Sequence, residues 1–330
     1  MRRELLLMRH GKSDWSVAAD DFHRPLKERG KRGAQRMGAW LAQEALVPDA
    51  ILSSPALRAR ATAEKCVKSM GLGVDMIELK PALYCEDEAP LLKTVRACPD
   101  SVQRLMIIGH NPALEDALVW LTGKRPRPPK ETKLLPTAAV VKLTFEGRWE
   151  DLRSGQMSLE LIQRVRALPD GFPWPFPAGE ERRERPAYYY RQSAVLPCRL
   201  QGEGEDAQWE VLLIGSSSNR HWSLPKGIVE PGMSPLESAL KEAREEAGIE
   251  AEALDHAALE FSYEKWGAPV AASLHAVRVV HEQEESEREE PHRSRRWVAA
   301  EVVPSLLKNH EMGHAAMALL ARLEQSRQAT

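Results

Sequence analysis

Cysteine organises nothing in this chain. The four present, Cys66, Cys85, Cys98 and Cys198, have no paired spacing, which argues against a zinc site or a disulfide framework and for reduced thiols. Charge imbalance is missing too. Against 46 Lys and Arg stand 48 Asp and Glu, a net charge of −2, so no global field draws the protein to nucleic acid or to an anionic membrane. No apolar run approaches the length of a membrane span. Met1-Arg2-Arg3 precedes an apolar stretch too short for a signal peptide, and no small-residue cleavage site follows. A soluble cytoplasmic protein is the expectation. Repeats are not visible. What remains is an ordinary globular composition, 43% hydrophobic and 28% charged, in 330 residues, a length suited to about two domains.

The first half alternates strand and helix patterns. Glu4 to Met8, Ala50 to Leu52, Leu105 to Ile108 and Ala138 to Phe145 read as strands, the early ones as buried parallel strands. Between the first two, Ala34, Met37, Leu41 and Leu46 recur at helical spacing. This predicts an α/β layer structure that binds ligands beyond the strand C-termini. From Ser154 to Pro186 the character changes. Asp170 to Pro177 is rich in proline and aromatics, a charge run follows at Glu180 to Arg185, and residues 166–187 read as a connector whose aromatics suit packing on a domain surface. Beyond it, Gln192 to Leu200, Trp209 to Ile214 and Val270 to Val280 read as strands, Pro235 to Ala247 and Gly313 to Gln325 as helices, and Glu282 to Arg296 as a solvated loop.

Three polar motifs follow three strands of the first half. Arg9-His10-Gly11 offers an imidazole nucleophile, a guanidinium beside it, and a glycine that lets phosphate approach backbone N–H groups. Arg58, in Ser53-Ser54-Pro55-Ala56-Leu57-Arg58, can clamp phosphate oxygens in bidentate fashion. His110, in Gly109-His110-Asn111-Pro112, adds a donor at a helix opening. In this order the pieces resemble the histidine phosphatase superfamily, most closely its small branch acting on phosphohistidine in proteins. The resemblance covers about residues 1–165 and includes Asp21-Phe22-His23-Arg24-Pro25-Leu26 and Pro136-Thr137-Ala138-Ala139. It implies a phosphoglycerate-mutase-like, three-layer α/β domain. His10 would be the nucleophile, with Arg9, Arg58 and His110 holding the phosphoryl group and Gly11 and Asn111 at the substrate. Larger members of that superfamily also use a carboxylic general acid. Glu86, Asp87 and Glu88 are candidates, and a solvated acidic loop is an equal reading of them. A phosphoramidate leaving group needs less acid help than an alkoxide.

The second half carries glutamates at Glu242, Glu245 and Glu246. Their spacing of i, i+3 and i+4 places them on one face of an α-helix, where they repel unless a hard divalent cation relieves them. Leu224-Pro225-Lys226-Gly227 precedes them, Pro231-Gly232 turns the loop, and Gly248 stops the helix. The block from Gly227 to Ile249 resembles the Nudix pattern, with Met233 where the first glutamate is expected and Lys241 where arginine is expected. Over about residues 188–325 the likeness is to the branch that cleaves diadenosine and diphosphoinositol polyphosphates. It implies a Nudix α/β/α sandwich over residues 188–330. Mg²⁺ or Mn²⁺ would be bound by Glu242, Glu245 and Glu246, with Glu245 also catalytic and Lys226 at substrate phosphate. Arg220 is a further phosphate contact or a solvated cation; Trp222 and Trp266 are a base pocket or core. The two departures predict weakened or altered activity more readily than lost activity.

Together these readings predict a two-domain phosphohydrolase. One activity is metal-independent, on a phosphomonoester or phosphohistidine; the other is Mg-dependent, on a nucleoside polyphosphate or similar phosphoanhydride. Small phosphorylated or nucleotide molecules and a phosphohistidine protein are the expected substrates; no membrane or nucleic acid polymer is expected as a partner. The competing reading is a phosphohistidine phosphatase regulated by a Nudix domain that binds nucleotide without cutting it.

Overall fold

The structure, a computed structural model, describes residues 1–126, 133–202, 207–216, 218–254 and 258–328. The chain divides into two compact units, Met1–Ala187 and Tyr188–Thr330. Among the described residues no helix is long and apolar enough to cross a membrane.

The first unit is built on β1 (Arg2–Arg9), α1 (Glu28–Gln43), β2 (Ala50–Ser53), α2 (Leu57–Ser69), β3 (Ile77–Leu79), α3 (Ala89–Arg96), β4 (Arg104–Gly109), α4 (Ala113–Thr122), β5 (Val140–Glu146) and β6 (Ser158–Gln163). The sheet order is β3-β2-β4-β1-β5-β6. Strands β1 to β4 are mutually parallel, whereas β5 runs antiparallel to both its neighbours, β1 and β6. Leu5, Leu6, Leu7 and Met8 are all fully buried because helices cover both faces of this central strand, hence its unbroken apolar run. Leu5 and Leu7 pack with α3 and α4, and Leu6 and Met8 with α1 and α2. Gly38 lets α1 approach α2 closely, since a Cβ there would overlap the Cys66 carbonyl. The sheet order makes β4 the common neighbour of β1 and β2, with Arg9 opposite Gly109 and Ser53 opposite Ile108. The C-termini of all three strands therefore meet.

Residues 166–187, expected as a connector, group with this unit. Phe172–Trp174 (β7) pairs with Glu181–Arg183 (β8), Phe172 and Leu168 are buried, and Arg36 of α1 donates to the Leu168 and Pro169 carbonyls.

The second unit comprises β9 (Arg191–Gln201), β10 (Gln208–Gly215), β11 (Trp222–Ser223), β12 (Lys226–Ile228), α5 (Pro235–Glu242), β13 (Ile249–Ala253), β14 (Leu259–Lys265), β15 (Ala268–Glu282), β16 (Arg295–Ala299), α6 (Val303–Leu306) and α7 (His310–Gln328). Its mixed sheet centres on β9, parallel to β15 and antiparallel to β10 and β12. One face buries Met312, Leu319, Leu320 and Leu323 of α7; the other buries Ala239, Ala243 and Ala247. A capping box starts α5: the Glu237 backbone N–H donates to Ser234 Oγ, and the Ser234 N–H donates to Glu237 Oε2.

The helix predicted over 235–247 is α-helical only to Glu242 and finishes as a π turn, Ala243–Ala247, ended by Gly248 in the left-handed conformation. The segment from Glu282 to Arg296 is mostly an exposed loop, as expected, but some of its cations turn inward. Arg288 is buried and donates to the Glu246 carbonyl, and Arg295 donates to those of Ala247 and Gly248. These cations satisfy the carbonyls that the helix end leaves open.

Candidate active sites

In the first unit, β1 ends at Arg9 and His10, Arg58 is the second residue of α2, and His110 follows β4. The strand order brings the three together. The His10 and His110 ring centroids are 5.1 Å apart. His10, Arg58 and His110 are each exposed by less than a tenth. His10 Nδ1 lies 2.7 Å from the Gly11 carbonyl, which can only accept, so Nδ1 carries the proton and Nε2 the lone pair. Among the described residues Nε2 has no hydrogen-bond partner. Burial, ahead of the repulsion from Arg58 and Arg9, holds His10 down to about 4, so the ring is neutral near pH 7. His110 is held down to about 3, by burial first and then by His10 and Arg58. Its Nε2 lies 2.8 Å from Ser54 Oγ.

These shifts carry a sign. Unfolded histidine titrates near 6.5, so below that pH the unfolded chain binds protons that the folded site refuses. The contribution to stability is full above about pH 6.5 and falls as the pH drops toward 4. At pH 5 each histidine is expected to cost about 2 kcal/mol. Hydrogen exchange of the β1 and β4 amides should show wild type losing more protection between pH 7 and 5 than His110→Gln does. Equal losses would refute the account.

The remaining expected residues are placed as follows. Arg9 donates to the Leu135 carbonyl at 2.8 Å. The Asn111 amide donates to Glu115 Oε1 at 2.7 Å and to the Leu135 carbonyl at 3.2 Å, so its donors hold the neighbouring loop. The Gly11 N–H is not open to phosphate as expected, because it donates to Thr62 Oγ1 at 2.8 Å. Glycine is needed there for a different reason: a Cβ would stand 2.8 Å from the Gly30 carbonyl oxygen. Glu86 and Asp87 are exposed.

The carboxylate that reaches this centre is Asp21. Its Oδ2 is 2.8 Å from Arg58 Nη2 and accepts from Tyr84 Oη at 3.0 Å, and its backbone carbonyl accepts from Arg58. Burial raises its pKa, but the hydrogen bonds from Tyr84 and Arg58 outweigh that and hold it below the usual carboxylate range. Only its place in the Asp21 to Leu26 motif singled it out in the sequence.

In the second unit a cavity of about 750 Å³ is lined by Glu230, Glu242 and Glu246, by the cations Lys226, Lys265 and Arg293, and by the aromatic rings of Trp222, Tyr263 and Trp266. Arg220 is exposed and is not among the lining residues. The glutamate face is not as expected. A π turn takes more residues per turn than an α turn, so Glu245 rotates away from Glu242 while Glu246 stays beside it. Glu245 pairs with Lys241 at 3.2 Å. Among the described residues no three His, Cys, Asp or Glu side chains form a group that could hold a metal ion.

The pair that does face the cavity fits a cation. Glu242 has no hydrogen bond or ion pair among the described residues, and burial, then Glu246 and Glu245, push it up to about 7. Its carboxylate lies against Gly227, where a Cβ would overlap it. Because that overlap is with the mobile end of a side chain, Gly227→Ala should change the melting midpoint little. It should lower metal-dependent turnover at least about tenfold by displacing the carboxylate. A large drop in the midpoint with unchanged turnover would contradict this.

Residues 5–83 match the model of the histidine phosphatase superfamily (branch 1), and residues 190–320 match that of the NUDIX domain. The chain joins a histidine phosphatase domain to a NUDIX domain. An uncharacterized protein of Mycobacterium tuberculosis is 32% identical over 161 residues, covering 46% of this chain and 96% of that one. The Sus scrofa bis(5'-nucleosyl)-tetraphosphatase [asymmetrical] is 33% identical over 122 residues, 36% of this chain and 83% of that one. Among solved structures, the putative phosphohistidine phosphatase SixA from Nakamurella multipartitia aligns at 24% identity with a TM-score of 0.41, over 50% of this chain and 96% of that one. Both families are hydrolases, and this histidine phosphatase–NUDIX chain is a two-domain phosphohydrolase. NUDIX domains generally use a divalent metal.

Proposed function

We propose that the histidine phosphatase unit hydrolyses a phosphomonoester or a phosphohistidine through a covalent intermediate on His10. The observation that carries this is the ring itself, neutral, with Nδ1 engaged by Gly11 and Nε2 open beside Arg9, Arg58 and His110. Nε2 attacks phosphorus as the bond to the leaving group breaks. Water then attacks phosphorus as the N–P bond breaks, its electron pair returning to Nε2; the water's two protons end on the departed leaving group and on the released phosphate. The cationic side chains balance charge on the equatorial oxygens throughout. Arg58 must first exchange Asp21 for phosphate.

The NUDIX unit, on the same proposal, cleaves a phosphoanhydride of the nucleoside polyphosphate class. Glu242 and Glu246 would hold Mg²⁺ or Mn²⁺. When bound, the metal supplies charge neutralisation and a more acidic water. Lys226 and Lys265 lie where they can contact phosphate, and Trp222 and Trp266 offer faces on which a base can stack. The name of the Sus scrofa relative supports the nucleotide class.

The alternative, a NUDIX unit that binds nucleotide without cutting it, is favoured by Met233 in place of the first glutamate and by the pairing of Glu245 with Lys241. A product panel decides between them, with inorganic phosphate, pyrophosphate and nucleotide products each measured: p-nitrophenyl phosphate, phosphohistidine peptide, diadenosine tetraphosphate, 8-oxo-dGTP and a diphosphoinositol phosphate, each with Mg²⁺ and with chelator. Metal-dependent cleavage of any anhydride supports the hydrolase. Nucleotide binding without such cleavage supports the sensor. No release from any monoester or phosphoramidate would sink the reading of His10.

A further inference from the structure

The NUDIX cavity already holds a positive charge aimed at one of the glutamates that line it. Arg293 lies between β15 and β16, with Nη2 2.7 Å from Glu246 Oε1 and the two side chains only 12% and 13% exposed. The other oxygen of Glu246 accepts the Lys226 backbone N–H at 3.0 Å. Both oxygens are thus engaged from within the chain. Arg293 is also held in place. Its Nε pairs with Glu290, its carbonyl accepts from Arg288 at 2.8 Å, and Asn219 takes the Ser294 N–H at 3.2 Å while donating to the His292 carbonyl. By contrast, the Lys241–Glu245 contact is a partly exposed i, i+4 pair of the ordinary surface kind.

We propose that Arg293 is a built-in counter-cation for Glu246, so that a divalent ion enters this site by exchange with the guanidinium. The proposal rests on reading Glu242 and Glu246 as metal ligands. A guanidinium and a metal ion cannot share Glu246 Oε1 at close range where both side chains are nearly buried, because like charges repel there with reduced screening. Entry of the ion therefore expels Arg293, and Glu290 remains to receive it. The expelled guanidinium stays on the wall it shares with Lys226 and Lys265, where it can meet an anionic substrate. Arg293 is a positioning residue for the metal, and its effect is read in binding, independently of turnover.

The test is Mn²⁺ binding to the full chain near neutral pH, with free ion measured by electron paramagnetic resonance. Arg293→Gln is expected to bind Mn²⁺ about tenfold more tightly than wild type. Arg293→Met, which removes the same charge while keeping an extended side chain, should agree with it and serves if the Gln variant does not fold. Glu246→Gln is expected to bind about tenfold more weakly, or worse. If the Arg293 variants match wild type or bind more weakly while Glu246→Gln is impaired, the metal site stands and the exchange is refuted. If Mn²⁺ binds none of them, or binds all alike, the metal reading falls and the proposal falls with it.

Discussion

His10→Ala should abolish the metal-independent activity, lowering kcat/KM by about 10⁴-fold or more while the anhydride activity persists. The size follows from what is removed. Arg9, Arg58 and His110 would still bind a phosphoryl group, but no nucleophile would remain to form the covalent intermediate. In the wild type, an alkaline denaturing quench during turnover of a radiolabelled phosphomonoester should trap label on the protein, and a bond stable to base but labile to acid distinguishes phosphohistidine from phosphoserine. The variant should trap none. Residual activity within about tenfold of wild type would show that the reaction proceeds by direct attack of water, with His10 in a binding role only.

Glu242→Gln should lower metal-dependent anhydride cleavage by about 10³-fold and leave the phosphatase activity unchanged. Glu242 is the informative choice because it has no partner among the described residues, whereas Glu246 is already tied to Arg293 and to the Lys226 backbone. Replacing Glu242 with a neutral amide removes repulsion from Glu246 and breaks no ion pair. The melting midpoint in chelator should therefore stay level or rise. A fall in both turnover and midpoint would assign Glu242 a structural role. Unchanged turnover would remove it from the chemistry.

Much of the architecture was legible because it is written in apolar periodicity. The run at Leu5 to Met8 announces a strand covered on both faces, and the polar residues after three strands converge beyond the strand C-termini. What escaped were the partners of polar groups, since spacing along a chain does not reveal which distant donor fills which acceptor. The motif suggests that Gly11 lets phosphate approach backbone N–H groups, yet its own N–H goes to Thr62, 51 positions away. Arg293 was hidden in a segment where both charge signs are dense, and only burial separates it from its exposed neighbours. The π turn was out of reach for another reason. The spacing of Glu242, Glu245 and Glu246 reads as one face only under α geometry, and nothing in Ala243 to Ala247 signals the wider turn.

The contact between His10 Nδ1 and the carbonyl of its own successor has a bearing on how such a site can change over evolutionary time. On the reading of His10 as nucleophile, its tautomer is set by the next residue in the chain, while burial and the charges of Arg58 and Arg9 keep the ring neutral. Substitutions around the rim can therefore alter which leaving group fits without retuning the atom that attacks. A scaffold arranged in this way can explore new phosphorylated metabolites while its central reaction is inherited intact.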